Sequence, residues 1–442
     1  LLRPFCLFVA GLVLLALPAS ADGLAVDYQQ FTLPNGLHVI LHRDPSVPQV
    51  HTNLWYYVGS ANEKPGRTGL AHLFEHLMFE GSAHVKEGEF DTLLESVGGY
   101  NNASTTEDRT NYYITLPSNA LELALFLESD RMGFLLPSMK PDIVDSQRDV
   151  VKNELRQTHL DEPYGTMWLA LPELLYPEGH PYRWPVIGSM EDLSAAGFQD
   201  VVEFCKTYYV PNNATLVIAG DIDLATTRAL VEKWFADVPG GPLVRPVTGP
   251  AVVLDGVRRR TLTDQVQLPR RWLAWPTPPI LTPGDAEMEV VGRLLAGGKS
   301  SRLYRRLVYQ AQVAQEVSAY PVRQRLVSVF LVDFTVRPGH SLDEVQRLVD
   351  EEIDRLRRAP PEEGEMERAL NSLEADTYRA MERGAEVADL LNQYYALTGN
   401  PDYFEEDLAR YRALRPRDIQ AAVERWLPAD RRVELTVLPE DG

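Results

Sequence analysis

Apolar positions change their period along this chain, and the changes mark out its elements. Between Tyr28 and His42 apolar and polar residues alternate on either side of Pro34-Asn35-Gly36, which predicts two short strands around a tight turn. A third strand is predicted from Val50 to Val58. The period then becomes helical: Leu70, Leu73, Phe74 and Leu77 share one face, with no Gly or Pro between them. Further helices are predicted over 89–97, ending at Gly98-Gly99, and over 119–133, 141–160 and 193–209. Within the 141–160 helix, Val150, Val151 and Leu155 mark the buried side. Tyr100 to Thr106 is small and polar, so the residues alone read as a loop before the core strand Asn111 to Leu116. Pro211-Asn212-Asn213 leads into another strand, Ala214 to Ala219.

The proline- and glycine-rich stretch from Val238 to Pro250 reads as a linker, after which the pattern restarts. A helix, Tyr209-Val210-Pro211 and the strand Leu216-Val217-Ile218 are echoed near the carboxyl end by a helix, Trp426-Leu427-Pro428 and Val433-Glu434-Leu435. Pro211 and Pro428 stand 217 positions apart, about half the chain, which predicts two copies of one unit. The expected fold class is therefore α+β, with two homologous domains, each a mainly antiparallel sheet with helices packed on one face. The boundaries are a signal peptide at 1–21, a first domain at 22–240, a linker at 241–260 and a second domain at 261–442.

A length of 442 residues exceeds what one hydrophobic core usually serves, in keeping with two domains. The net charge of −20 argues against nucleic acid and anionic membrane surfaces as partners. Arg3, the apolar run Phe5 to Leu17, Pro18 and Ala19-Ser20-Ala21 fit a signal peptide cut after Ala21, and hence a periplasmic or secreted protein. No other stretch is long enough for a membrane span, so no stable membrane insertion is expected after that cut. Cys6 leaves with the signal and Cys205 remains alone, so no intrachain disulfide forms.

The chemistry is concentrated on the Leu70–Leu77 helix. His72 and His76, four apart, stand one above the other and can grip a divalent metal, with Glu75 beside them. His-x-x-Glu-His is the inverzincin signature, in which the carboxylate takes a proton from water that the metal has made acidic. The second half has no counterpart of this triplet, so catalysis belongs to the first. Catalytic zinc usually takes three protein ligands, and spacing leaves Glu80, Glu95, Glu107, Asp149, Glu154 and His159 as candidates for the third.

Taken together, His72 to His76, Phe79-Glu80-Gly81-Ser82, Gly98 to Thr105, Asn111-Tyr112-Tyr113, Arg148 to Glu154 and the segment from His180 to Asp221 resemble the M16 (pitrilysin) family of zinc peptidases. The resemblance is nearer to its single-unit bacterial branch, the one like the mitochondrial processing peptidase. It implies an endopeptidase with one Zn2+ per chain, held by His72, His76 and Glu154, with Glu75 as general base. It also implies that Asn102 and Ala103 lie on an edge strand that takes a peptide substrate as an added strand. Two positions depart from the family pattern. Gln147 stands where relatives commonly have a second supporting Glu. Val308 and Gln315 stand where relatives have an Arg and a Tyr that hold substrate, with Arg305, Arg306 and Tyr309 as nearby alternatives. The resemblance then implies the zinc-bearing subunit of a heterodimer, whose second M16-like chain supplies the missing pair. A peptide-binding or scaffold subunit without catalysis is the alternative.

Overall fold

The computed structural model of the protein describes residues 24–440, so the predicted signal peptide lies outside the described residues. Two sheets organise it. The first contains β1 (Gln29–Thr32), β2 (His38–Arg43), β3 (Gln49–Tyr56), β4 (Tyr100–Thr105), β5 (Thr110–Pro117) and β6 (Ala214–Gly220), in the spatial order β1-β2-β6-β3-β5-β4. The second contains β7 (Arg258–Asp264), β8 (Arg270–Thr277), β9 (Ala314–Val322), β10 (Ser328–Val336) and β11 (Val433–Pro439), in the order β7-β11-β8-β10-β9. Once β1 is set aside, the two orders are the same permutation. Each sheet also has one parallel pair, β2 with β6 and β7 with β11, and is otherwise antiparallel. This shared topology is the duplication that the two prolines signal, within an α+β fold.

The helices of the first half include α1 (Leu70–Leu77), α2 (Glu89–Ser96), α3 (Leu121–Ser138), α4 (Pro141–Leu155) and α5 (Thr166–Leu175). Helices α1 to α4 bury their apolar sides with one face of the first sheet, in a core that includes Leu54, Leu73, Phe74, Tyr112 and Val151. The opposite faces of the two sheets are covered by exchange. The Gly384–Thr398 helix of the second half packs through Val387, Ala388 and Leu391 on Ile40, Val217 and Ala219 of the first sheet. In return α5 places Met167, Ala170 and Leu171 against Trp272, Ala274 and Leu435 of the second. Each half therefore packs its own helices on one face and receives a helix of the other on the second face.

Several boundaries differ from those read in the sequence. The 193–209 helix is two, Met190–Ala195 and Phe198–Tyr208, broken at Ala196-Gly197. The 141–160 helix is α-helical only to Leu155 and widens into a π turn over Arg156–Leu160. Its buried side carries Val144, Val151 and Leu155, while Val150 is 43% exposed. The stretch Val238 to Pro250 has neither helix nor strand, but β7 begins at Arg258, so the last three linker positions belong to the second sheet. That strand is hidden in the sequence because it runs along a sheet margin with most of its residues exposed, leaving no apolar alternation to read. Cys205 is buried, and burial pushes its thiol up to about 12, so it is an inert core residue. Among the described residues no helix is long and apolar enough to cross a membrane.

Candidate metal and active site

Helix α1 sets the position of the site, and its start is fixed by its neighbours. Gly69 precedes it at φ 85°, and a Cβ there would lie 2.8 Å from the Ile187 carbonyl oxygen, so only glycine fits. The Glu63 carboxylate, 7% exposed, accepts from the Gly69 amide at 3.0 Å and the Ala71 amide at 2.8 Å, groups that a helix start leaves without partners. In Glu63→Ala both donors stay buried and unpaired, an expected loss of about 2 kcal/mol with weaker metal retention. Thermal unfolding checks this; a melting temperature equal to wild type would show that the cap is dispensable.

Burial then decides which side chains face outward. Leu70, Leu73, Phe74 and Leu77 are each at most 6% exposed, and full burial of such a side chain is worth roughly 1.5–3 kcal/mol. Their stripe turns His72, Glu75 and His76, all half-buried, away from the core. Helix α4 packs beside α1 and presents Glu154 from its last turn. Glu154 Oε1 lies 3.7 Å from His72 Nε2, and Oε2 lies 3.2 Å from His76 Nε2. One ligand atom from each of the three residues falls within 4.8 Å of the others, and no other cluster of three His, Cys, Asp or Glu among the described residues does so.

The remaining candidates for the third ligand have other places. Glu95 is exposed at the end of α2, and Asp149 faces Lys152 at 3.6 Å. Glu107 and His159 line the same cavity as His72, Glu75 and Glu154 without joining the cluster. Glu80 accepts a hydrogen bond of 2.6 Å from the Gln147 amide. Gln147 therefore touches the site only indirectly: it holds the Glu80 carboxylate, whose negative charge helps to raise the His76 pKa.

Electrostatics distinguish the two histidines. Burial pushes His72 down to about 4, against the pull of Glu154, so it is neutral at pH 7 and offers a lone pair. At His76 burial acts in the same direction, but the Glu154 hydrogen bond and the charges of Glu154, Glu75 and Glu80 outweigh it and lift the pKa. The His76 hydrogen bond is the main reason that Glu154 is held below the ordinary carboxylate range. Burial raises Glu75, and this is partly offset by a hydrogen bond from the Thr105 hydroxyl and by the charge of His76.

Thr105 belongs to β4, which pairs only with β5 and is the margin of the first sheet. The Thr106 amide donates to the Arg109 carbonyl and closes the hairpin, so Asn102 and Ser104 turn their main chain toward β5 while Ala103 and Thr105 turn theirs outward. Ala103 lines the cavity with His72, Glu75 and Glu154. Asn102 is exposed, and its side-chain oxygen accepts from the Ala103 amide at 2.8 Å. The segment that residue types alone read as a loop is thus a strand with one free margin. Its small polar residues lack strand propensity, and its pairing with β5 supplies what propensity does not.

The cavity itself measures about 460 Å³ and is shared between the halves. Trp168, Leu171 and Leu175 of α5 form one wall, and Val322, Val329 and Leu331 of the second half another. Val308 sits on the turn Tyr304–Gln310 against the second core, and Gln315 is exposed on β9; neither lines this cavity, nor do Arg305, Arg306 or Tyr309. Residue spacing misses Glu63, Thr105 and the α5 wall. Their contacts join segments far apart in the chain, and no local period reports such contacts. His159 enters the cavity five residues after Glu154 because the π turn changes the helical phase, which an α-helical spacing conceals.

Two family profiles match consecutive parts of the chain: insulinase (peptidase family M16) over residues 38–164, and the peptidase M16 inactive domain over residues 196–373. The chain belongs to the M16 family. The first match contains His72, Glu75, His76 and Glu154. M16 relatives include the zinc protease PqqE of Helicobacter pylori, 28% identical over 89% of this chain and 90% of that protein. An uncharacterized zinc protease of Streptomyces coelicolor is 26% identical over 92% of this chain and 88% of its own length. Among solved structures, a protease from Helicobacter pylori superposes with a TM-score of 0.87 at 26% identity, covering 94% of this chain and 100% of that one. An M16 inactive domain from Pseudomonas fluorescens, at 18% identity, shares the fold with a TM-score of 0.85 over 94% of this chain and 98% of its own.

Proposed function

We propose that this protein is a zinc-dependent endopeptidase acting on short or unfolded peptides. The observation that carries the proposal is the convergence of His72, His76 and Glu154, from two helices, beside the carboxylate of Glu75 and the free margin of β4. The donor set fits the ion: two imidazoles, one held neutral by burial, and one carboxylate, with their ligand atoms already within 4.8 Å of each other. When bound, zinc would polarise the scissile carbonyl and acidify water at its open position. Glu75 removes a proton from the attacking water and passes it to the leaving amine, and Thr105 fixes which way that carboxylate points. The outward amide and carbonyl groups of Ala103 and Thr105 pair with an extended peptide, and Asn102 releases the Ala103 amide to it. Metal analysis with a fluorogenic-peptide assay tests this reading, with one zinc per chain and chelator-sensitive hydrolysis as the expected result. The alternative is a peptide-binding or scaffold subunit without catalysis, and zinc-free protein that cleaves nothing even with its partner would establish it.

The proposal extends to assembly and compartment. With Val308 and Gln315 in place of an Arg and a Tyr, neither position can offer a guanidinium fork or a phenol to substrate. A second M16-like chain lacking zinc supplies that pair across a clam-shell chamber, in the periplasm or outside the cell. Co-expression with such a chain should raise kcat/KM by about tenfold or more, the scale of one charge-assisted contact. Full activity of the isolated chain, with no gain from a partner, would refute the heterodimer.

A further inference from the structure

A second cavity of about 480 Å³ adjoins the first and shares Glu107, Val322 and Gln324 with it. It lies beyond the end of β4, around the Thr106–Arg109 turn, and is closed by the linker at Val244 to Val247 and by the Gly384–Thr398 helix at Asp389 and Gln393. Four arginines line it, and their partners differ. Arg323 makes two hydrogen bonds to Asp285, and Arg325 faces Asp108 at 3.3 Å, so both charges are answered within the protein. Arg109 is not paired in this way. It stacks over Trp55 and directs only Nη1 at protein acceptors, the Ser104 carbonyl, the Ser104 hydroxyl and the Asn111 side chain. Among the described residues no carboxylate lies within ion-pair distance of Arg109, and its Nε and Nη2 have no hydrogen-bond acceptor. Arg245, exposed on the linker, has no acidic partner among the described residues either.

The acids in this wall make no ion pair with either arginine: burial lowers the Arg109 pKa, and the charges of Asp389, Glu75 and Glu107 act on it only from a distance. Asp389 already accepts from the Asn53 amide, the Trp55 indole and the Asn111 amide, at 3.0, 3.1 and 3.2 Å. Burial raises Glu107 and favours its uncharged form. The cavity therefore holds two guanidinium groups with donors to spare, in a chain whose overall charge is −20. Arg109 is half-buried and Arg245 exposed, so both can be reached from the cavity, and a guanidinium is shaped for a carboxylate.

We propose that this second cavity is a carboxylate-binding subsite, in which Arg109 and Arg245 hold a carboxylate of the peptide that lies along β4. The subsite rests on the peptidase reading, since it takes the far end of a chain laid on that strand. The carboxylate is the peptide's own carboxyl terminus or an acidic side chain near it. Either source gives the protein a preference for peptides that end, or carry an acid, a few residues from the scissile bond.

Fluorescence anisotropy on full-length, zinc-loaded Glu75→Gln protein separates the outcomes, because the peptide binds without being cut. Three labelled peptides of one core sequence are compared: one with a free carboxyl terminus, one amidated, and one amidated with an Asp near its end. Wild-type arginines should favour a carboxylate-bearing peptide over the plain amide by about tenfold, the scale of one charge-assisted contact. That ratio should fall toward one in Arg245→Ala and in Arg109→Gln. Preference for the free terminus alone, or for Asp alone, identifies the source of the carboxylate. Equal binding of all three peptides would overturn the subsite and leave the peptidase reading standing. Binding of none would overturn both.

Discussion

Glu75→Gln is expected to bind zinc in full while losing turnover by a factor of about 10² to 10⁴, the usual contribution of a positioned general base. The amide replaces the carboxylate atom for atom and can still accept from the Thr105 hydroxyl, so α1 and β4 have no reason to move. It lacks only the capacity to take a proton. Glu75 is also outside the group of three residues whose ligand atoms converge, so its loss leaves the donor set intact. Zinc content by mass spectrometry and kcat on a fluorogenic peptide are the two readings. Turnover near wild type would remove Glu75 from the mechanism, and loss of zinc would instead make it a ligand.

The second large effect is on the metal itself. Removing one of three protein ligands should weaken zinc binding by more than the roughly 10- to 100-fold that outer-shell partners contribute. Glu154→Ala and His72→Ala are therefore both expected to purify without zinc and without activity. Glu154 carries an additional burden, since it faces both imidazoles, at 3.7 and 3.2 Å. Competition against a chelator of known affinity gives the loss directly. Retained zinc in Glu154→Ala, with Glu107 or His159 substituting from the same cavity wall, would show that a different side chain completes the set.

How much of this architecture is legible in the amino-acid sequence depends on how local each signal is. The α1 helix and its two histidines are legible because the residues concerned lie within about one helical turn of each other, where spacing alone fixes their relative direction. The duplication is legible from Pro211 and Pro428, and the identical strand permutation of the two sheets gives that echo its structural meaning. Glu154 is different. Periodicity offers it as one of six acids and histidines, the family resemblance selects it, and the packing of α4 on α1 brings it to the two imidazoles. Strand β4 defeats residue types, since Tyr100 to Thr105 has little of the β-branched character of β3 or β5 and becomes a strand by pairing with β5. The exchange of helices between halves, Thr166–Leu175 for Gly384–Thr398, leaves no trace in any window of sequence. That exchange builds the cavity walls, so the shape of the site is its least legible part.

Anomalous diffraction at the zinc edge, on crystals of the full chain grown with the ion, is the decisive measurement because it locates the metal itself. One zinc peak per chain is expected, placed among His72 Nε2, His76 Nε2 and the Glu154 carboxylate. A peak elsewhere, or a zinc-loaded chain in which the Glu154 carboxylate points away from both imidazoles and no other acid replaces it, would contradict the zinc peptidase reading at its root.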